Sequence, residues 1–285
     1  MATKASVYAG FVKFEHTVFA LPFAYAGAFL AAGGLPSWWD LGWITVAMVG
    51  ARSAAMGLNR LIDREIDARN PRTAQRHLPR GLLSASEALA FSLASLGVFA
   101  LAAAELNRLC LELLPLAVVV LVIYPYTKRF TWTCHYFLGA AQFFAPFGGW
   151  IAVTGRIAPG ALILGAAVGL WVASFDLIYA LQDLDFDRRH GVFSIPARFG
   201  PAVGLAAARL GHLLAFALLL SLYFYLHLGP VYLAGVVLTG LLLVYEHSLV
   251  SPRDWSRLPV AFFHVNSAVS LVYFVFLAAG MLWVR

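Results

Sequence analysis

The chain has 285 residues, of which 61% are hydrophobic and only 12% charged, and it carries 22 Phe and eight Trp. A soluble globule is nearer half apolar and a quarter charged, so this composition excludes one and indicates an all-α, polytopic membrane protein. The net charge of +6 reads as Lys and Arg gathered beside anionic lipid rather than as a nucleic-acid footprint.

Lys4, Lys13, Glu15 and His16 precede the first apolar run, and no small-residue cleavage site follows them, so no cleavable signal peptide is expected. A bilayer is crossed by a helix of about 20 apolar residues. Nine such segments can be cut, at 14–34, 39–58, 86–106, 109–126, 134–154, 158–181, 204–226, 230–250 and 258–284. Gly33-Gly34-Leu35-Pro36, the stretch 155–160 and His227-Leu228-Gly229-Pro230 carry turn chemistry, whereas the break at 106–109 is very short. No soluble domain or low-complexity linker intervenes, so 1–285 reads as one transmembrane domain. Cys110 and Cys134 are isolated in or near apolar runs and suggest buried small hydrophobes, not a disulfide or a metal pair.

The basic residues orient this arrangement. With a cytoplasmic N-terminus, the N-terminal tail and the connections after segments two, four, six and eight hold fifteen of the twenty Lys and Arg. The opposite side holds Arg108, Arg156 and Arg285, while Arg52 and Arg209 fall inside segments. Such a positive-inside bias supports nine transmembrane helices with the N-terminus cytoplasmic.

Two acidic clusters interrupt the hydrocarbon. At the cytoplasmic end of segment two, Asn59, Asp63 and Asp67 recur every four residues and share one helix face, with Arg60 and Arg64 beside them. At the end of segment six, in YALQDLDFDRRHGVFSIPARFG, Asp183 and Asp187 repeat that spacing and Asp185 points elsewhere. Gly191 is a plausible helix stop, and Ser194 with Pro196 can start a short helix. Four crossings separate the clusters, so both face the same aqueous boundary and can share one cavity. Facing carboxylates repel unless neutralised. Hard oxygen ligands with an amide carbonyl suit Mg²⁺, which commonly bridges carboxylates to substrate phosphates, and nearby Arg and Lys128 suit phosphate oxygens. The pattern therefore reads as a metal–diphosphate site that assists departure of a diphosphate. The plainer alternative is a pair of solvated flanks, in which Glu65 and Arg69 form an ordinary i, i+4 surface pair.

These residues resemble the UbiA superfamily of intramembrane aromatic prenyltransferases. NxxxDxxxD stands as Asn59, Asp63 and Asp67, and DxxxD as Asp183 and Asp187. RNPRT (69–73), YPYTKR (124–129) and the 179–200 stretch resemble the 4-hydroxybenzoate polyprenyltransferase branch. The resemblance spans the chain and implies a UbiA-type bundle of two similar halves, with cytoplasmic cap loops at 59–85 and 182–200. It implies that Asn59, Asp63, Asp67, Asp183 and Asp187 bind Mg²⁺, which holds the diphosphate of a polyprenyl donor for attack by an electron-rich ring carbon. Lys128 and Tyr124, and more loosely Arg72 and Lys13, would contact the diphosphate.

Asp176 lies two helical turns deeper in segment six, where an ionisable group marks function by default. It could orient an acceptor or take its phenolic proton; pairing with Arg52 or a hydroxyl is the plain alternative. Phe143, Phe144 or Tyr179 could face an allylic cation, although packing explains any of them. His16 could bind an acceptor carboxylate, while Glu246, His264 and Asn266 read as span-end polar residues.

The expected activity is Mg²⁺-dependent transfer of a polyprenyl group to an aromatic carboxylate of quinone biosynthesis, 4-hydroxybenzoate or a dihydroxynaphthoate. The expected place is a bacterial-type inner membrane, with the active site facing the cytoplasm, lipid as surroundings and no nucleic-acid partner. A transporter or channel would need polar groups through the bilayer depth, and here they crowd one side.

Overall fold

Residues 4–13 and 17–283 are described by a computed structural model of the chain. The roles considered for His16 lie outside the described residues. The elements, in order, are α1 (Lys4–Val12), α2 (Thr17–Ala32), α3 (Trp38–Ile62), α4 (Arg64–Arg69), α5 (Ala85–Leu106), α6 (Arg108–Thr127) and α7 (Cys134–Thr154). Then come α8 (Pro159–Tyr179), a 3-10 turn (Ala180–Asp183), α9 (Leu184–His190), α10 (Ile195–Phe199), α11 (Pro201–Tyr225) and α12 (Pro230–Ser248). A π-helical turn (Val260–Val265) leads into α13 (Asn266–Trp283).

Among the described residues, eight helices are long and apolar enough to cross a membrane; α2 is apolar but shorter, at 16 residues. The boundaries follow local chemistry. Gly155 and Gly191 end α7 and α9 with φ of 62° and 66°, a left-handed conformation that glycine adopts without a Cβ clash. Ser194 caps α10 by accepting from the Ala197 amide, with Pro196 inside its first turn. The short break between α5 and α6 is a single residue. Asn107 accepts from the Cys110 amide at 3.0 Å, capping α6, and donates through Nδ2 to Ile151 and Ala152 of α7.

Helix contacts form two rings that share α2 and α7. The first is α2–α3–α5–α6–α7 and the second is α2–α7–α8–α11–α12–α13, closed by α13 against α2. Within the second ring α8 is central: the segment Pro159–His190 that it begins is the most buried of the eight membrane-length helices, and α6 the least. The core joins Leu164 and Leu177 of α8 with Leu222 of α11 and Tyr273 and Leu277 of α13. Ala- and Leu-rich faces left exposed on α5, α6, α11 and α12 suit hydrocarbon surroundings.

Candidate active site

The first acidic motif straddles a break. Helix α3 ends at Ile62, Asp63 leaves the helical conformation (φ −88°, ψ 1°), and α4 resumes at Arg64. The backbone bonds Asp63 N to Asn59 O (2.9 Å) and Asp67 N to Asp63 O (2.8 Å) persist across the break, so the four-residue stripe survives. Asp63 is 1% exposed and Asp67 4%, which removes the solvated-flank reading for both. Lys128 Nζ donates to Asp63 Oδ2, and Arg129 Nη1 donates to Oδ1 at 3.1 Å. Arg129 also closes the end of α3 by donating to the Ile62 carbonyl. Arg76 Nη1 donates to both oxygens of Asp67 at 2.8 Å.

The second motif is also not one continuous helix. A 3-10 turn carries Asp183, and α9 carries Asp187. Asp183 receives Arg72 through a fork, Nε to Oδ1 at 2.8 Å and Nη2 to Oδ2, and Asn70 Nδ2 to Oδ1 at 2.8 Å. Asp187 is buried and accepts a long 3.4 Å bond from Ser194 Oγ, with no ion pair among the described residues. Asp185 is exposed on another face, as its spacing requires.

The cap loop supplies the cations. Arg72 Nη1 donates to the Tyr179 hydroxyl at 2.7 Å, and the guanidinium lies 5.1 Å from the Tyr179 ring centroid. Burial opposes its charge, but Asp183 and Tyr179 more than offset this and hold the Arg72 pKa above its ordinary value. Glu65 pairs with Arg64 at 3.7 Å on the surface, not with Arg69 as in the plainer alternative.

A cavity of about 230 Å³ is lined by Asn59, Asp63, Asp67, Asp183 and Asp187 together with Arg72, Arg76, Tyr124 and Lys128. Both motifs thus meet in one space. Among the described residues, no three His, Cys, Asp or Glu converge closely enough to enclose a metal ion, and three of the four motif carboxylates are paired with Arg or Lys. The donor chemistry nevertheless suits Mg²⁺, which needs one or two carboxylates when phosphate and water complete its shell.

Two further cavities adjoin. One of about 190 Å³ lies inside the first helix ring and is walled by apolar residues such as Ile44, Met48, Leu113, Ala117, Leu121 and Phe144. The other, of about 310 Å³, includes Lys13, Arg52, Trp171, Asp176, Tyr179 and Asn266. Tyr124 and Leu138 line all three. Lys13 has a positive φ of 47° and lies in this third space, away from the walls of the acid cavity.

Among the described residues, the hydrogen-bond partner of Asp176 is His135 rather than Arg52 or a hydroxyl. His135 Nδ1 meets its Oδ2 at 2.7 Å. Phe143 packs over Gly165 of α8, Phe144 faces the apolar cavity, and Tyr179 lines the acid cavity. Glu246 and Asn266 bond each other at 2.9 Å. Cys110 and Cys134 are free and half-buried. Sequence reasoning singled out neither Asn70, Arg76, Arg129 nor His135. Asn70 and Arg76 lie in the loop beside the first motif, where proximity to Asp was a usable signal; Arg129, beside Lys128, and His135, a lone polar residue at the start of an apolar run, gave none.

A profile of the UbiA prenyltransferase family matches residues 20–284. The chain is 31% identical over 259 residues to a 4-hydroxybenzoate octaprenyltransferase of Aliivibrio fischeri, covering 90% of this chain and 88% of that one. To a 4-hydroxybenzoate octaprenyltransferase of Xanthomonas campestris it is 35% identical, covering 88% and 83%. Its fold is similar to the apo structure of a UbiA homolog from Aeropyrum pernix K1, with a TM-score of 0.86, 36% identity and coverage of 94% and 98%. A UbiA homolog from Archaeoglobus fulgidus bound to DMAPP and Mg²⁺ shares the fold at a TM-score of 0.66 and 18% identity, covering 95% and 99%.

Proposed function

The chain belongs to the UbiA prenyltransferase family, and we propose that it transfers a polyprenyl group from polyprenyl diphosphate to an aromatic carboxylate of the 4-hydroxybenzoate type. The observation that carries this reading is the single cavity where Asn59, Asp63, Asp67, Asp183 and Asp187 meet Lys128, Arg72 and Arg76. The identity to 4-hydroxybenzoate octaprenyltransferases over about nine-tenths of the chain supports the acceptor class. We further propose nine spans, α2 being the first, with the N-terminus and the cavity on the cytoplasmic side, in a bacterial-type inner membrane.

Asn59 and the four motif aspartates would hold Mg²⁺, which supplies neutralising charge as the diphosphate leaves. Lys128, Arg72 and Arg76 side chains are about a third exposed, and each can turn from its carboxylate to a phosphate oxygen when the donor enters. Arg72, fixed through Tyr179, offers two parallel N–H groups to such an oxygen pair. The apolar cavity behind Tyr124 accepts the isoprenoid chain and keeps water from the allylic cation. Phe144 and Tyr179 present ring faces near that path.

The test is transfer by the purified protein in lipid, given a polyprenyl diphosphate, Mg²⁺ and either 4-hydroxybenzoate or a dihydroxynaphthoate. Prenylated 4-hydroxybenzoate, lost on adding EDTA, is expected. Transfer to the naphthoate alone would replace the acceptor, and no transfer to either would overturn the reading.

A further inference from the structure

Helices α7 and α8 run antiparallel and touch through glycines. A Cβ on Gly139 would stand 2.4 Å from the Gly169 carbonyl oxygen, so the backbones approach as only small residues allow. His135 lies four residues before Gly139 and Asp176 seven after Gly169. Those steps turn a helix by about 400° and about 700°, so both side chains return to the α7–α8 contact face. Side chains lean toward the N-terminus of their own helix, and in antiparallel neighbours the two leans converge.

The result is the 2.7 Å contact between His135 Nδ1 and Asp176 Oδ2. An ionised carboxylate only accepts, so in this pairing Nδ1 carries the proton. The His135 side chain is 2% exposed and that of Asp176 27%, which places the imidazole behind the carboxylate and the carboxylate toward open space. Asp176 lines both the acid cavity and the larger cavity beside it, at the junction of the two. Among the described residues His135 Nε2 is buried without a hydrogen-bond partner, so the ring meets Asp176 through Nδ1. Three motif aspartates pair with Arg or Lys. Asp176 has an imidazole instead.

We infer that His135 is a positioning residue that holds Asp176 to accept the hydroxyl proton of a phenolic acceptor. This rests on the group-transfer reading above. The phenolic proton passes to Asp176, and the oxygen's electron density drives the ring carbon to bond the allylic carbon. The C–O bond to diphosphate breaks, and its electron pair leaves with the diphosphate. The dienone so formed loses the hydrogen of the substituted carbon as a proton to the diphosphate, while its oxygen regains a proton from Asp176. One proton is released overall and the diphosphate takes it.

The experiment compares wild type, His135→Phe, His135→Asn, Asp176→Asn and the double variant His135→Phe/Asp176→Asn in the lipid assay with Mg²⁺. The acceptors are 4-hydroxybenzoate and ring-fluorinated analogues whose phenols ionise more readily. His135→Phe should lower kcat about 100-fold with the donor KM within about twofold, and the deficit should shrink as the phenol becomes more acidic. His135→Asn, which keeps an N–H donor near Nδ1, should recover part of the loss. The double variant should be no slower than Asp176→Asn alone. Unimpaired His135→Phe, an equal deficit with every phenol, or a fully additive double variant would overturn the inference. Should His135→Phe fail to fold, Asp176→Asn and His135→Asn carry the same acidity comparison. Absence of transfer by wild type would instead overturn the function proposed above.

Discussion

Arg72 and Asp183 stand 111 residues apart and meet through a fork: Nε donates to Oδ1 at 2.8 Å while Nη2 donates to Oδ2. The cap loop after α3 is thereby fastened to the turn after α8, and the two helix rings share one polar roof. The third guanidinium nitrogen donates to Tyr179, whose ring packs against Phe262 with centroids 4.1 Å apart and planes tilted by 33°. A single side chain thus links both acidic motifs' surroundings to the π-helical turn.

Replacing Arg72 by Lys keeps the charge but loses the fork and the Tyr179 contact. Donor kcat/KM is expected to fall about tenfold or more, with the acceptor KM little changed. Steady-state kinetics at varied donor concentration measure this, and a variant with wild-type donor KM and kcat would remove Arg72 from diphosphate binding.

Asp63→Asn and Asp183→Asn each remove a carboxylate that Mg²⁺ would use while preserving shape. Turnover is expected to drop by about 100- to 1,000-fold, with the Mg²⁺ concentration for half-activity rising. The partners left behind, Lys128 with Arg129 and Arg72, are partly exposed and tolerate the loss, so the variants should still elute as folded protein. Wild-type turnover in both would sink the metal assignment.

Ala117 is 6% exposed and lines the apolar cavity. Ala117→Phe should fill part of it, cutting kcat/KM about tenfold for a long polyprenyl donor and by less than about twofold for a dimethylallyl one. Competition between the two donors reads this ratio directly. An unchanged ratio would place the chain elsewhere.

Asn266 supports the π-helical turn. Its Nδ2 donates to the Ala261 and Phe262 carbonyls of that turn and to Glu246 Oε1. Asn266→Leu removes these bonds and strands the buried Glu246 Oε1, at a cost of about 1–3 kcal/mol, and should lower the Tm in detergent by several degrees. Because Phe262 rides on this turn against Tyr179, activity should fall as well. A Tm equal to wild type would show that the turn holds without it.

Much of the architecture was legible in the residues. Apolar runs, glycines with positive φ at 155 and 191, and the Ser194–Pro196 start are local features, and the helices begin and end beside them. The i, i+4 aspartates and the even number of crossings between them also sufficed to place both motifs in one cavity. The breaks at Asp63 and Ala180–Asp183 were not legible, since the spacing suits an unbroken helix equally well.

Partner choice was decided by the tertiary structure. Asp176 takes His135 rather than Arg52 because Gly139 and Gly169 let α7 and α8 close together and turn those two side chains into the same gap. Asp63 takes Lys128 and Arg129 because α6 ends level with the end of α3. Hydrophobic length and turn chemistry are properties of a short stretch and can be read from it. Which cation or imidazole faces which carboxylate depends on the rotation and spacing of helices distant in sequence, and packing alone fixes those.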